Sequence, residues 1–153
     1  MSPTNSPHAG HVKRINALFS KLLGEKVVMS VRDPLSIPEY SEPEPDVMLL
    51  KPSDDFYVDA HPEPRDVFLL LEVADSSLDL DRKIKLPMYA EAQVPKVWIV
   101  NLADRQIEVH RLPVKRKYQQ VTIVKKNQNI AVPHFSISVT PEDLIGKLSL
   151  FYS

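Results

Sequence analysis

The spacing of apolar residues predicts a helix near the start of the chain. These residues recur every three or four positions, at Val12, Ile15, Leu18, Phe19, Leu22 and Leu23. Such spacing places side chains on one face of a helix, and Gly24 is a residue type that commonly ends one. Residues 1–10 contain two of the fourteen prolines, and we expect them to be a flexible lead-in to a single domain at residues 11–153.

Short apolar runs bounded by proline, glycine or charged residues predict a series of strands. The runs lie at residues 26–31, 46–50, 67–73, 97–101, 106–112 and 118–124. A helix is expected from Leu78 to Ala92, with a kink at Pro87, because proline lacks a backbone donor and crowds the preceding turn. Thr140 followed by Pro141 predicts the start of a last helix.

The order of these elements indicates an α/β fold, with a mixed sheet and helices packed against it. A strand, a crossover helix and another strand usually form a parallel pair with a right-handed connection. We therefore expect the strands at residues 67–73 and 97–101 to be parallel neighbours.

The composition is that of an ordinary globular protein, with 43% hydrophobic residues, 25% charged residues and a net charge of -1. No apolar run approaches the roughly 20 residues of a transmembrane helix, and the first residues lack the apolar core of a signal peptide. We therefore expect a cytoplasmic protein without a membrane partner. The absence of cysteine excludes disulfides and thiolate metal sites, so any catalysis uses oxygen and nitrogen groups.

Charge is unevenly distributed along the chain. Acidic residues crowd residues 33–44 and 54–81, whereas basic residues crowd residues 111–117 and the pair at 125–126. This pattern fits an acidic site surrounded by basic segments, and it also fits ordinary solvated faces and hairpin tips.

Glu72 is the residue with the clearest chemical meaning, because it lies inside the apolar strand at residues 67–73. An ionised carboxylate in a buried strand is costly unless a cation, hydrogen-bond donors or a solvent-filled cleft balances it. Asp46 stands at the start of an earlier apolar strand, and Lys85 lies on the helix that follows Glu72. Two acids and a lysine in this order suggest a metal-dependent nuclease.

Each of these residues also has a structural interpretation. Asp46, which follows Pro45, is a residue type that starts turns. Glu72 could be neutralised by an internal salt bridge with Lys85. Asp81 and Lys85 are four residues apart, so a surface ion pair along the helix is a further interpretation.

Several other side chains are candidates for the same site. His8 and His11 have the spacing of a metal-binding pair, but His8 lies in the lead-in and is expected to cap the helix or contact solvent, while His11 could reach the site. Tyr89 is expected either to orient the lysine or to pack in the core. Lys83 is the competing lysine and is expected to face solvent, whereas Trp98 is expected to pack under a helix.

The chain contains an ordered set of motifs: Pro45-Asp46-Val47, Leu71-Glu72-Val73 with Ser76-Ser77, Asp81-Arg82-Lys83-Ile84-Lys85, Tyr89-Ala90, Val94 to Val100, and Tyr118. This set resembles the Uma-type putative restriction endonucleases, a branch of the PD-(D/E)xK nuclease superfamily that is common in bacteria. The resemblance covers His11 to about Leu144. It implies a restriction-endonuclease-like mixed β-sheet flanked by helices.

The resemblance also implies a metal-dependent DNA endonuclease that hydrolyses phosphodiester bonds. Asp46 and Glu72 would hold one or two Mg²⁺ or Mn²⁺ ions, which prefer oxygen ligands and would activate water beside a scissile phosphate. In the wider superfamily a lysine stands two residues after the second acid, where this chain has Ala74. In this branch Lys85 takes its place and would stabilise the transition-state charge.

Members of the family usually carry a further glutamate in a segment ahead of the first helix. This chain has a short proline-rich lead-in there, which leaves open whether Glu42 or Glu44 replaces that glutamate. The alternative function is a catalytically degenerate member that serves as a nucleic-acid-binding or protein-interaction module. Nucleases of this fold often work as homodimers, and we expect Phe135, Ile137 and residues 148–152 to supply an apolar interface.

Overall fold

A computed structural model describes residues 6–40 and 42–147 of the chain. The strands are β1 (Val28–Val31), β2 (Val47–Leu50), β3 (Val67–Ala74), β4 (Lys96–Asn101), β5 (Gln106–Val114), β6 (Lys117–Lys125), β7 (Ile130–Ala131) and β8 (Ser138–Val139). The helices are α1 (Ser6–Leu23), α2 (Leu78–Leu80), α3 (Leu86–Glu91) and α4 (Pro141–Ile145). A π-helical turn at Asp81–Lys85 joins α2 to α3, and short 3₁₀ turns lie at Gly24–Lys26 and Pro64–Asp66.

The first six strands form one sheet in sequence order, from β1 at one edge to β6 at the other. The neighbours β3 and β4 are parallel, and the other neighbouring pairs are antiparallel. The predicted mixed α/β sheet and its parallel pair are therefore confirmed, while the handedness of the crossover stays a prediction. Strands β7 and β8 form a separate antiparallel pair.

Each face of the sheet is covered by its own apolar cluster. On one face, α1 contributes Ile15 and Phe19, which pack with Leu71 and Trp98 of the sheet. The rings of Phe19 and Trp98 lie 6.3 Å apart, so Trp98 packs under a helix as predicted. On the other face, α3 packs Tyr89 into a cluster with the apolar residues of β3 and β4. Each fully buried large apolar side chain contributes about 1.5–3 kcal/mol to folding.

The first helix begins at Ser6 rather than at His11, so the expected start is wrong by several residues. Pro7 does not prevent this earlier start, because the first turn of a helix does not need the backbone donor that proline lacks. Gly24 follows the helix with a positive φ of 51°, which supports its predicted role as a terminator. Residues 1–5 lie outside the described part of the chain, and the division into lead-in and domain stays a prediction.

The helical segment after β3 runs from Leu78 to Glu91, close to its predicted bounds, but its irregularity is not a kink centred on Pro87. The chain instead widens into the π-helical turn just before the proline, where Leu86 N–H donates to the carbonyl of Asp81. Pro87 has no backbone N–H, so the regular α-helical pattern is already interrupted there and the wider turn replaces it.

The last helix begins as predicted. The Thr140 side chain accepts a hydrogen bond from Asp143 N–H, and the Asp143 carboxylate accepts one from Thr140 N–H. Phe135 and Ile137 are half-buried and pack against the core, and residues 148–152 of the expected interface lie outside the described residues. None of the helices within residues 6–40 and 42–147 has both the length and the apolar character needed to cross a membrane.

Candidate active site

Asp46 and Glu72 lie side by side on neighbouring strands. Because Val47 pairs with Leu71, the residue before β2 falls next to Glu72. Asp46 N–H donates to Glu72 Oε1 at 3.0 Å, and Val73 N–H donates to Asp46 Oδ2 at 2.8 Å. Each carboxylate thus accepts a hydrogen bond from the backbone of the other strand, which fixes both side chains in one orientation.

Lys85 joins this pair from the π-helical turn. Its Nζ lies 3.3 Å from Glu72 Oε2 and 3.2 Å from Asp81 Oδ1, and its side chain is 38% exposed. The ion pair of Asp81 and Lys85 is thus present, but Asp81 is only 3% exposed, so the interpretation of this pair as a surface feature is wrong. The wide turn directs both side chains towards Glu72, and Lys85 bridges two buried carboxylates. The internal salt bridge between Glu72 and Lys85, which the sequence left open, is present.

Tyr89 completes the surroundings of Glu72. Its hydroxyl donates to Glu72 Oε2 at 2.8 Å, and the ring is buried in the core. The predicted packing of Tyr89 in the core is confirmed. Its hydroxyl binds Glu72, whereas the other prediction had it orient Lys85. Burial and the adjacent Glu72 raise the pKa of Tyr89, so the hydroxyl stays protonated and remains a donor.

Burial and neighbouring charges shift the pKa values of Glu72, Asp81 and Lys85. Burial raises the pKa of Glu72 to about 7, with the Lys85 ammonium opposing the shift and the Asp46 carboxylate adding to it. Burial likewise raises the pKa of Asp81. Burial alone would lower the pKa of Lys85, but Glu72 and Asp81 together outweigh it and raise that pKa. Lys85 therefore stays charged, and its single amine is shared by Glu72 and Asp81.

Two further residues that the sequence did not assign to the site contact Asp46. His8 Nε2 lies 3.3 Å from Asp46 Oδ2 and 3.1 Å from the carbonyl of Val73, so the expected capping or solvent role of His8 is wrong. Arg32 NH1 lies 3.6 Å from Asp46 Oδ1 with a side chain that is 40% exposed. The early start of α1 carries His8 to this position; that His11 reaches the site stays a prediction.

The remaining sequence candidates lie elsewhere. Glu42 is exposed and pairs with His61 at 3.6 Å, and Glu44 is exposed as well. The additional buried acid near Glu72 is Asp81 instead. Lys83 is exposed, as predicted. Ala74 is fully buried, so the position two residues after Glu72 has no solvent-filled space for a lysine.

A second buried glutamate holds the π-helical turn against the sheet. Arg82 donates to Glu108 of β5 through Nε at 3.2 Å and also through NH2. His110 Nε2 lies 3.1 Å from Glu108 Oε1. Burial, together with the charge of Arg82, lowers the pKa of His110 to about 4, so this imidazole is neutral at physiological pH. This contact fixes Arg82, and with it the turn that carries Asp81 and Lys85.

The acid pair fits a partly hydrated hard cation. Within residues 6–40 and 42–147, no group of three or more His, Asp or Glu side chains is arranged to hold a metal ion. Mg²⁺, however, usually keeps several waters and binds one or two carboxylates together with substrate phosphates. Asp46 and Glu72 supply such carboxylates, and their backbone hydrogen bonds hold them next to each other.

The chain is thus an α/β protein with a mixed sheet, paired acids on adjacent strands and a lysine from the crossover helix. The sequence matches the model of the Uma2 family, described as "Putative restriction endonuclease", over residues 1–141. The chain therefore belongs to this family.

A comparison with solved structures shows the same fold in another protein. The crystal structure of a putative nuclease from Anabaena variabilis superposes with a TM-score of 0.69 at 10% sequence identity. The alignment covers 92% of this chain and 81% of that one. The restriction-endonuclease-like fold expected from the sequence is thus confirmed. A search of curated proteins finds no match.

Proposed function

We propose that the protein is a Mg²⁺- or Mn²⁺-dependent endonuclease that hydrolyses phosphodiester bonds in DNA. The observation that supports the proposal is a pair of hydrogen bonds that hold two buried carboxylates next to each other. Asp46 N–H donates to Glu72, and Val73 N–H donates to Asp46. Holding two like charges together in a buried position is unfavourable without a cation. A site that fixes them this way is suited to binding one.

In this proposal each side chain has a distinct task. Asp46 and Glu72 are the metal ligands, and a bound metal ion would neutralise the scissile phosphate and lower the pKa of water. Lys85, partly exposed beside Glu72, stabilises the negative charge that develops on the phosphate. Tyr89 holds Glu72 in place through its hydroxyl. Arg32 and His8 hold Asp46 from the other side.

One observation favours a second candidate, a degenerate member that binds nucleic acid or protein without cleaving it. The Lys85 ammonium already contacts both Glu72 and Asp81, so part of the buried charge is balanced without a metal. The two candidates differ in whether a divalent ion binds at the acid pair and whether DNA is cut.

Cleavage is tested on supercoiled, linear and single-stranded DNA with Mg²⁺ or Mn²⁺. The variants are Asp46→Asn, Glu72→Gln and Lys85→Met, and Lys83→Met is the matched control because Lys83 lies on the same turn but is exposed. We expect each of the three site variants to lose at least about 10²-fold in rate, and the control to keep wild-type activity.

Three outcomes would contradict the proposal. Equal activity in wild type and site variants would remove the residue assignment. An equal loss of cleavage rate in Lys83→Met and Lys85→Met would mean that the net charge of the turn matters, whereas the position of the Lys85 amine does not. A folded wild-type protein that cuts none of the substrates, and whose melting temperature is unchanged by either metal, would support the binding module.

We also propose that the enzyme works as a homodimer, since cutting both strands of a duplex requires two active sites. Light scattering at micromolar concentration measures the mass directly. A dimeric mass is expected, and a monomeric mass that persists in the presence of duplex DNA would contradict it.

A further inference from the structure

A groove lies on the face of the sheet opposite to the acid pair. Glu72 pairs with Ile99 across β3 and β4, whereas the neighbouring residue Trp98 points to the other face because side chains alternate along a strand. On that other face, β4 to β6 and the segment 129–134 enclose a cavity of about 380 Å³. This volume falls within the range of about 300–1,000 Å³ that is typical of small-ligand sites.

Two cations stand next to each other along this groove. Lys96 of β4 and Arg111 of β5 are directly paired across the strands and both line the cavity. Like charges in directly opposite positions of a sheet destabilise it. No ion pair formed within the described residues uses either side chain. The residues that line the cavity include no aspartate or glutamate.

Trp98 forms part of the wall of the same groove. It lines the cavity and is fully buried, and its Nε1 has no hydrogen-bond partner among the residues that the structure describes. An indole N–H, a lysine ammonium and an arginine guanidinium can donate hydrogen bonds but cannot accept them. The two adjacent cations give the groove a positive edge, which matches a ligand that supplies acceptors and negative charge.

We propose that this groove binds the phosphate group of a nucleotide, either free or within a single strand of nucleic acid. A phosphate carries the charge to satisfy two adjacent cations, and a guanidinium binds it through two parallel hydrogen bonds. The lining also contains Thr122 and Asn129, whose side chains both donate and accept, together with His134 and six apolar residues. The site uses none of the residues of the acid pair, so it does not depend on the proposed nuclease activity.

The chain contains a single tryptophan, which makes the groove directly observable. Trp98 emission is followed in EDTA while inorganic phosphate, a nucleoside monophosphate, a short single-stranded oligonucleotide or acetate is added. Isothermal calorimetry with the same ligands provides a second readout. We expect saturable changes with the phosphate-containing ligands, and an affinity that falls as salt is raised.

The variants Lys96→Gln and Arg111→Gln remove the cations one at a time, and Lys21→Gln is the control because Lys21 is exposed on α1. Each groove variant should weaken binding at least about tenfold, since a hydrogen bond to a charged group is lost, whereas the control should bind as wild type does. Binding should persist in Asp46→Asn and Glu72→Gln.

The ligand series decides the source of the phosphate. Tighter binding of the monophosphate supports a free nucleotide, and tighter binding of the oligonucleotide supports a nucleic acid strand. The proposal is overturned if no ligand changes the emission or gives heat, or if acetate binds as tightly as the phosphates. It is also overturned if Lys21→Gln weakens binding as much as the groove variants, or if Asp46→Asn abolishes it.

Discussion

Two buried glutamates on one face of the sheet differ in how their charge is met. Glu72 and Glu108 both pair with Ile99, one from each neighbouring strand, and both are 2% exposed. Glu108 accepts hydrogen bonds from two nitrogens of Arg82 and lies within hydrogen-bonding distance of His110. Glu72 shares a single lysine amine with Asp81 and lies against Asp46.

The difference separates a glutamate that holds the fold together from one that is available for chemistry. A guanidinium binds a carboxylate through two parallel hydrogen bonds and leaves little capacity for another cation. At Glu72 the acids outnumber the amine, and burial raises the pKa of this carboxyl to about 7. Burial therefore does not indicate function by itself; the balance of charge around the buried group does.

The largest expected effect is on cleavage. Replacing Glu72 by glutamine removes a proposed metal ligand, so the rate should fall at least about 10²-fold. Replacing Glu108 by glutamine leaves the acid pair in place, and a rate within about tenfold of wild type is expected. Initial rates are compared at a temperature at which circular dichroism shows that both variants are folded. A greater loss in Glu108→Gln than in Glu72→Gln would reverse the assignment.

The next largest effect is on stability, and it concerns the other glutamate. Arg82→Ala leaves Glu108 buried without its cation, which should lower the free energy of unfolding by about 2–3 kcal/mol. This loss is below the roughly 3–5 kcal/mol that is usual for a fully buried ion pair, because the Arg82 side chain is 40% exposed. Urea unfolding measures the change, with Lys83→Ala as a control expected within about 0.5 kcal/mol of wild type. Equal losses in the two variants would mean that the Arg82 ion pair is not what holds the turn.

The sequence was sufficient to predict the fold and to select three residues that the structure places close together, because these depend on local patterns. The apolar runs predicted the six strands of the large sheet in order. Asp46 and Glu72 meet because their strands are adjacent, and Lys85 reaches Glu72 because the crossover helix packs over the same face. The earlier helix start that brings His8 to Asp46 was missed, since a proline-rich segment resembles a flexible end.

The Arg82–Glu108 contact could not be predicted from sequence. The two residues are 26 positions apart, and each alone looks like a solvated charge on a helix or a hairpin. The burial of Asp81 was missed for a related reason, since a spacing of four is typical of surface pairs on a regular helix. The π-helical geometry directs Asp81 and Lys85 towards the interior, and no single residue type predicts that geometry.

The two glutamate sites should respond to pH in opposite directions. The pKa of Glu72 is raised from 4.5 to about 7, so the folded state holds this proton more tightly, and stability falls as pH rises from 4.5 to 7. The pKa of His110 is lowered from 6.5 to about 4, so its contribution is present above pH 6.5 and is lost as pH falls towards 4.

These slopes are measured in EDTA by urea unfolding at a series of pH values. Glu72→Gln should remove the loss of stability between pH 4.5 and 7, on the order of 2 kcal/mol. His110→Gln should instead remove the loss between pH 6.5 and 4. Parallel pH curves for wild type and Glu72→Gln would show that this carboxyl titrates normally in the folded protein.

The smallest expected effect comes from one hydroxyl. Tyr89→Phe removes the donor to Glu72 and should cost about 1 kcal/mol of stability. Tyr118→Phe is the matched control, since its buried hydroxyl donates to the carbonyl of Val94, away from the acids. In a Glu72→Gln background the cost of Tyr89→Phe should change, whereas the cost of Tyr118→Phe should not. Additive effects in both cases would show that Tyr89 does not act through Glu72.

The π-helical turn makes the number of residues in this segment matter as well as the identity of those that contact the acids. It contains one residue more per turn than an α-helix, and each residue of an α-helix corresponds to a rotation of about 100°. Tyr89 and Lys85 follow the phase of the downstream helix, while Asp81 and Arg82 follow that of the upstream one. Exposed positions such as Lys83 accept substitution. Deleting one residue would rotate the downstream helix relative to the upstream one and move Lys85 away from Glu72 and Asp81. Relatives that share this site are therefore expected to differ at exposed positions of the turn, such as that of Lys83, without differing in its length.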